Sequence, residues 1–281
     1  MALGAGISFA FGGTVSQIVG QRGFSVGQIL FTQYLCGVIC LGLLVAFRFK
    51  EPVTKKDARD LFLLGMVNAI PCYFYYLAIR MMSVAAGIAI QFQYVWIVMV
   101  FQCIADKVFP KKRMVISAVM IIIGSVLASG MADELLSGGN TISVMGVICA
   151  LLCAVSYAVF LFGNGRVALG YNGVLRAFIE ALGNFTAIAI VQLISGEMAG
   201  FDFVGSIPGC ALLGLLMTVI PITFIAASST KISGGLVAIL TSSQLPAAAV
   251  VSHLILKEPL TLLMIIGSFI IVGAIALAQD Q

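Results

Sequence analysis

Apolar residues run along this chain in long blocks separated by short polar breaks. Ten blocks of roughly 20 residues can be read, the length a helix needs to cross about 30 Å of hydrocarbon. They cover residues 3–20, 27–47, 60–80, 83–104, 113–131, 142–163, 173–194, 207–229, 233–254 and 260–278. Each is about twice the length of a barrel strand and lacks strict alternation, so helices are expected, not strands. Residues 1–20 lack the basic region that opens a cleavable leader and are read as a true helix.

The breaks between blocks carry an uneven charge. Alternate breaks collect Arg48, Lys50, Lys55, Lys56, Arg59, Lys107, Lys111, Lys112, Arg113, Arg166 and Lys231 on one side, against Arg22, Arg80 and Lys257 on the other. Positive loops stay in the cytoplasm, which predicts cytoplasmic N- and C-termini in a cell membrane. Composition agrees: of 281 residues 61% are hydrophobic and 9% charged, with a mean hydropathy of +1.15, and no polar stretch is long enough for a soluble domain. The expected fold is all-α and integral to the membrane. The seven cysteines lie in or beside apolar blocks and read as small packing residues. Cys36/Cys40 and Cys149/Cys153 have helical spacing, but no His or carboxylate stands beside them, so no metal and no cofactor is implied.

The chain repeats itself. At an offset of about 150, Pro71 falls on Pro221, Ser83 on Ser233 and Lys107 on Lys257; near the start Gly27 falls on Gly173. Residues 1–135 and 140–281 are therefore expected to be two five-helix units. Five crossings are odd, so the second unit would insert upside down, giving ten transmembrane helices as two inverted five-helix repeats with a site near the midplane between them. Pro71 and Pro221 would then bend two helices symmetrically about a cavity.

Residues 239–278, ILTSSQLPAAAVVSHLILKEPLTLLMIIGSFIIVGAIALA, resemble the last two helices of the EamA branch of the drug/metabolite transporter superfamily. Pro246 sits mid-helix, Glu258 just past its end, and Leu260-Thr261 precede a final helix rich in small residues. In the first half Trp96 and Val108 stand where Pro246 and Glu258 do in the second. The arginine often found early in the second helix of such proteins appears here as Gln33 or Tyr34. The resemblance implies a secondary transporter of small metabolites, amino acids or drugs, working without ATP.

The candidate site follows from polar residues in apolar blocks, where an unpaired amide is costly. On a continuous fourth helix Gln91, Tyr94, Val95, Val98 and Gln102 share a face. Gln91 and Tyr94 either line a cavity or hold the bundle together by interhelical hydrogen bonds; Trp96 is too deep for an interfacial belt and packs or lines the cavity. The repeat partners Ser243 and Gln244 mirror this cluster. Asn68, Cys72 and Tyr75 or Tyr76 form a stripe on the third helix, and Gln17 and Tyr157 complete the wall. Such walls suit an amphiphilic small molecule; no basic cluster is present to hold a phosphate.

Arg176 and Glu180 stand one turn apart in the seventh helix. Their order is the less favourable one, and a cation near a helix N-terminus opposes the dipole, so a tertiary partner must hold them. If Arg176 snorkels to the headgroups, Glu180 is free to exchange protons and couple transport; if the two pair, they are structural or bind a zwitterion.

The functional expectation is a secondary active transporter, exporting amphiphilic metabolites such as amino acids or drug-like compounds by alternating access, with the bilayer and protons as partners, no nucleic acid, and a homodimer open. An intramembrane enzyme is disfavoured by the lack of HExxH or GxSxG, and primary transport by the lack of a phosphate-binding loop. A structural or sensory membrane subunit is the remaining alternative.

Overall fold

The structure is a computed structural model; it describes residues 1–48, 51–137, 143–196, 201–257 and 259–279. Glu258, part of the sequence motif above, lies outside the described residues, as does the side chain of Gln17.

All the regular structure described is helical. The first half comprises α1 (Ala2–Gly20), α2 (Val26–Arg48), α3 (Lys55–Met81), α4 (Val84–Gln91), α5 (Tyr94–Asp106), α6 (Lys112–Ala128) and the short α7 (Met131–Leu136). The second comprises α8 (Val144–Asn164), α9 (Gly173–Ser195), α10 (Phe203–Leu213), α11 (Ile220–Ser229), α12 (Gly234–Thr241), α13 (Gln244–Leu256) and α14 (Leu262–Gln279). A π-helical turn, Gly214–Val219, joins α10 to α11 in one span. Among the described residues nine spans are long and apolar enough to cross a membrane. The helix α6, at 17 residues, lies at the short end of what can span.

Helix boundaries repeat more faithfully than residues do. Both α2 and α9 have 23 residues. Likewise α3 has 27, as does the span Phe203–Ser229. The pairs α4/α12 and α5/α13 have 8 and 13 residues each, at an offset of 150. Ser83 and Ser233 cap α4 and α12 with the same extended backbone and the same bond from the third residue on. Lys107 and Lys257 end α5 and α13 in the left-handed region, at φ 54° and 60°. Packing exchanges in the same way: α3 lies on α8 as α10 and α11 lie on α1, α4 and α5 lie on α8 as α12 and α13 lie on α1, and α6 pairs with α14.

The fourth block is not the continuous helix expected from the sequence. It breaks after Gln91, as the ninth block does after Thr241. At each break the backbone tightens to i−3 bonds, Gln93 N–H to Ile90 and Val95 to Phe92 in one, Ser243 to Leu240 and Leu245 to Ser242 in the other. Pro246 lacks an N–H and accounts for the second break. Trp96 stands at the matching position of the first, so proline is not what the two have in common.

Helix contacts are set by small residues. A Cβ on Gly65 of α3 would strike the Glu180 carbonyl of α9, and one on Gly183 of α9 would strike the Phe62 carbonyl of α3. The two backbones touch where neither has a side chain, as lipid-embedded helices require.

Candidate functional site

A central cavity of about 190 Å³ lies between the two halves. One water needs about 10–15 Å³ on such a scale, so the space suits a solute and not a lone water. Its walls come from α1, α2, α3, α4, α8, the π-turn with α11, and α13. From α2 it takes Leu30, Gln33 and Tyr34, and from the span Ala85–Asp106 that α4 opens it takes Ile88 and Gln91, all in the first half of those spans. Tyr157 and Phe160 of α8 with Ile222 and Ile225 of α11 form the opposite floor.

The wall holds no Asp, Glu, Lys, Arg or His among the described residues. Its polar groups are uncharged: Thr14, Ser16, Gln33, Asn68, Gln91, Gln244 and Ser252, beside Tyr34, Tyr75, Tyr76 and Tyr157. The Tyr75 and Tyr76 rings meet edge to face at 5.8 Å, and Tyr157 stacks on Phe160 at 6.0 Å. Aromatic walls with a few fixed polar groups hold an amphiphile and orient it.

Of the residues proposed from sequence, Asn68, Tyr75, Gln91, Tyr157 and Gln244 come together on this wall. Three others do not. Tyr94 is 2% exposed and sits behind the wall: its hydroxyl lies 3.2 Å from Thr241 Oγ1 and 3.4 Å from the Ala238 carbonyl, and its ring meets Tyr157 edge-on at 4.9 Å. The helix break turns Tyr94 away from Gln91, so the shared face drawn on a continuous helix does not exist. Trp96 is a correction too. It is 42% exposed on the outside of the bundle, its indole N–H donating to Gln93 Oε1 at 2.9 Å. Ser243 donates to the Leu3 carbonyl at 3.0 Å and pins α13 to α1.

The wall also includes residues that polarity alone did not single out. Tyr34 donates to Cys72 Sγ at 3.1 Å, joining α2 to α3. Gln33 Nε2 donates to Thr218 Oγ1 of the π-turn at 3.3 Å, and Ser8 Oγ to the Leu216 carbonyl at 2.6 Å. Pro221 leaves the carbonyl four residues before it without its helical partner, and the wider π-turn places Met217 in the wall. Pro71, its sequence counterpart, lies within the continuous α3 and lines the cavity itself. The two prolines therefore do different things.

The charged pair lies apart from the cavity, between α9, α8 and α11. Arg176 is fully buried and does not snorkel. Its guanidinium donates to the carbonyls of Ala226 at 2.5 Å, Asn164 at 2.6 Å and Val167 at 3.1 Å, and to Asn164 Oδ1 at 3.2 Å. Asn164 ends α8, where carbonyls lack helical partners and the dipole is negative, so the cation opposed by its own helix is held by another. Glu180 Oε2 accepts from Asn164 Nδ2 at 3.3 Å, and Oε1 has no partner among the described residues. The two side chains do not form an ion pair; Asn164 stands between them.

At the floor end, Gln102 Oε1 accepts the Gly235 N–H at 3.1 Å, and Arg166 pairs with Asp106 while lying 4.5 Å over the Phe162 ring. At the other end Asp133 and Glu134 of α7 accept from Thr261 and Ser83, each at 2.5 Å, and so tie the starts of α14 and α4 together.

Residues 1–130 match the EamA-like transporter family. Among curated proteins none matches the chain. A solved crystal structure, described only as that of a protein, superposes with a TM-score of 0.80 at 14% identity, covering 99% of this chain and 95% of its own. At that identity the likeness is one of fold.

Proposed function

We propose that this chain, whose residues 1–130 match the EamA-like transporter family, is a membrane transporter of that kind and a secondary active exporter of small amphiphilic solutes such as amino acids or drug-like compounds. The single observation that carries the reading is the cavity between the two halves, uncharged, aromatic and large enough for a small solute. Its substrate groups are Asn68, Tyr75, Gln91, Tyr157 and Gln244, with Gln17 of α1 proposed on sequence alone.

Residues 1–135 and 140–281 act as inverted repeats that rock about this cavity. The cavity lies toward the end where α2 and α4 begin, the side with few basic residues, and Gln102, Asp106 and Arg166 close the opposite end. With the basic loops cytoplasmic, this conformation faces outward and both termini lie inside the cell membrane.

Protons are the coupling ion. Glu180, buried with one oxygen unpaired, takes up and releases the proton, and Arg176 keeps its neighbours in place. The test is counterflow in proteoliposomes across amino acids and aromatic amines, repeated with Glu180→Gln. Wild-type flux driven by a pH gradient and a variant that exchanges solute without that drive are expected. Gradient-driven flux in the variant removes Glu180 from coupling, and no flux of any solute returns the chain to a structural or sensory role.

A further inference from the structure

We infer that the cavity shuts on its outer side through a seam of α13 against α4, in which Gln244 meets Gln91 and Ser252 accepts the N–H of Ala85. The inference rests on the transport reading above and gives the residues of that cavity's second gate.

The pattern for this seam is present at the floor end. Tyr94, Val98 and Gln102 form one stripe along α5, at i, i+4 and i+8, and all three reach α12. The Tyr94 hydroxyl lies 3.2 Å from Thr241 Oγ1 and 3.4 Å from the Ala238 carbonyl. A Cβ on Gly234 would stand 3.5 Å from Val98 and 3.2 Å from the Leu161 carbonyl of α8, and Gln102 accepts the Gly235 N–H at 3.1 Å. Two glycines at the start of α12 thus let α5 and α8 close over it.

At an offset of 150 residues, the counterparts of Tyr94, Val98 and Gln102 are Gln244, Ala248 and Ser252, and all three line the cavity from α13. The counterparts of Ala238 and Thr241 are Ile88 and Gln91 of α4, which line it as well. The same two stripes are joined in one half and parted in the other. Helix packing follows suit: α12 lies on α5 and on α8, while α4 makes no comparable contact with α13 or α1.

Residue sizes fit closure of the parted pair. The joined seam sets Val98 and Gln102 against Gly234 and Gly235; the parted one has Ala248 and Ser252 to set against Val84 and Ala85. Bulk lost from α13 is returned on α4, so the second pair of helices can approach as closely as the first. The polar groups fit too. Ser83 caps the Ala86 N–H, but the Ala85 N–H has no hydrogen-bond partner among the described residues. Its counterpart is the Gly235 N–H that Gln102 satisfies, and Ser252 brings a hydroxyl oxygen to the place of the Gln102 amide.

Ala85→Cys with Ser252→Cys reports the seam. The purified full chain in nanodiscs is oxidised with copper phenanthroline, and a disulfide between positions 85 and 252 is identified by peptide mass spectrometry. Ala85→Cys with Val250→Cys, a position 52% exposed on the outside of the bundle, is the control. Adding Gln102→Ala, which removes a hydrogen bond holding the floor seam, is expected to raise the rate of 85–252 linkage about fivefold, the population shift that one hydrogen bond supports. Size-exclusion profiles establish that each variant is folded; if Gln102→Ala is not, Gly235→Ala, whose Cβ would stand 2.9 Å from Gln102 Oε1, loosens the same seam. No linkage above the control, or linkage at one rate whether or not the floor seam is loosened, overturns the inference. Solute counterflow without 85–252 linkage leaves the transport reading intact and removes the seam, whereas accelerated linkage without flux of any solute sinks transport alone.

Discussion

The guanidinium of Arg176 lies 2.6 Å from the main-chain oxygen of Asn164, the last residue of α8, and also donates to that residue's side-chain oxygen at 3.2 Å. A charge that is unfavourable at the start of its own helix becomes the cap of the next. Replacing it leaves the carbonyls of Asn164, Val167 and Ala226 unpaired and Glu180 without a nearby cation. Arg176→Met is expected to cost about 3 kcal/mol or more, read as a drop in melting temperature of the detergent-solubilised protein. Arg176→Lys, with a point charge in place of a planar fork, falls between the two. A variant as stable as wild type would show that the cap contributes nothing.

Gly65 and Gly183 mark where α3 and α9 touch through backbone. Gly65→Val or Gly183→Val must push the helices apart and is expected to cost more than the usual 1–3 kcal/mol of overpacking, because the obstructing atoms are main-chain carbonyls. Gly20→Ala, with nothing within 4 Å of its Cβ, is the control. Fluorescence-detected size exclusion should show loss of the folded peak in the valine variants and an unchanged peak in the control.

Tyr94 and Thr241 join the two helix breaks. Thr241 donates to the Ala238 carbonyl at 3.0 Å and so can accept from Tyr94. Tyr94→Phe removes one donor and leaves no buried group newly stranded, so a loss of about 1 kcal/mol is expected, with solute binding unchanged. A large loss of binding at unchanged stability would move Tyr94 back into the site.

Trp96 is the single tryptophan of the chain and lies on the outer surface. In reconstituted membranes its fluorescence should be quenched by lipids brominated along the acyl chains and be insensitive to added solute. Protection from brominated lipid would place it inside the bundle.

The apolar blocks and their polar breaks determined the helices, because a segment in hydrocarbon must satisfy its own backbone and its length is set by the bilayer. Composition likewise excluded a soluble domain. Residue identity was enough to mark Asn68, Tyr75, Gln91, Tyr157 and Gln244, since an amide or phenol in an apolar block has to face protein or water.

What the sequence could not supply was phase and partner. The turn at Phe92–Gln93 shifts α5 relative to α4, so Gln91 and Tyr94, neighbours by helical counting, face different places. No residue at the first break announces it as Pro246 announces the second. Arg176 found its partners on α8, α11 and the loop after α8, 9 to 50 residues away in sequence, and no spacing rule along one helix reports those. Gln33 carries the same lesson: its neighbour Thr218 stands 185 residues on, in a π-turn whose existence depends on packing as well as on Pro221. Hydrophobic periodicity fixes which segments enter the membrane; only the three-dimensional contacts decide which of their polar groups are already satisfied and which are not.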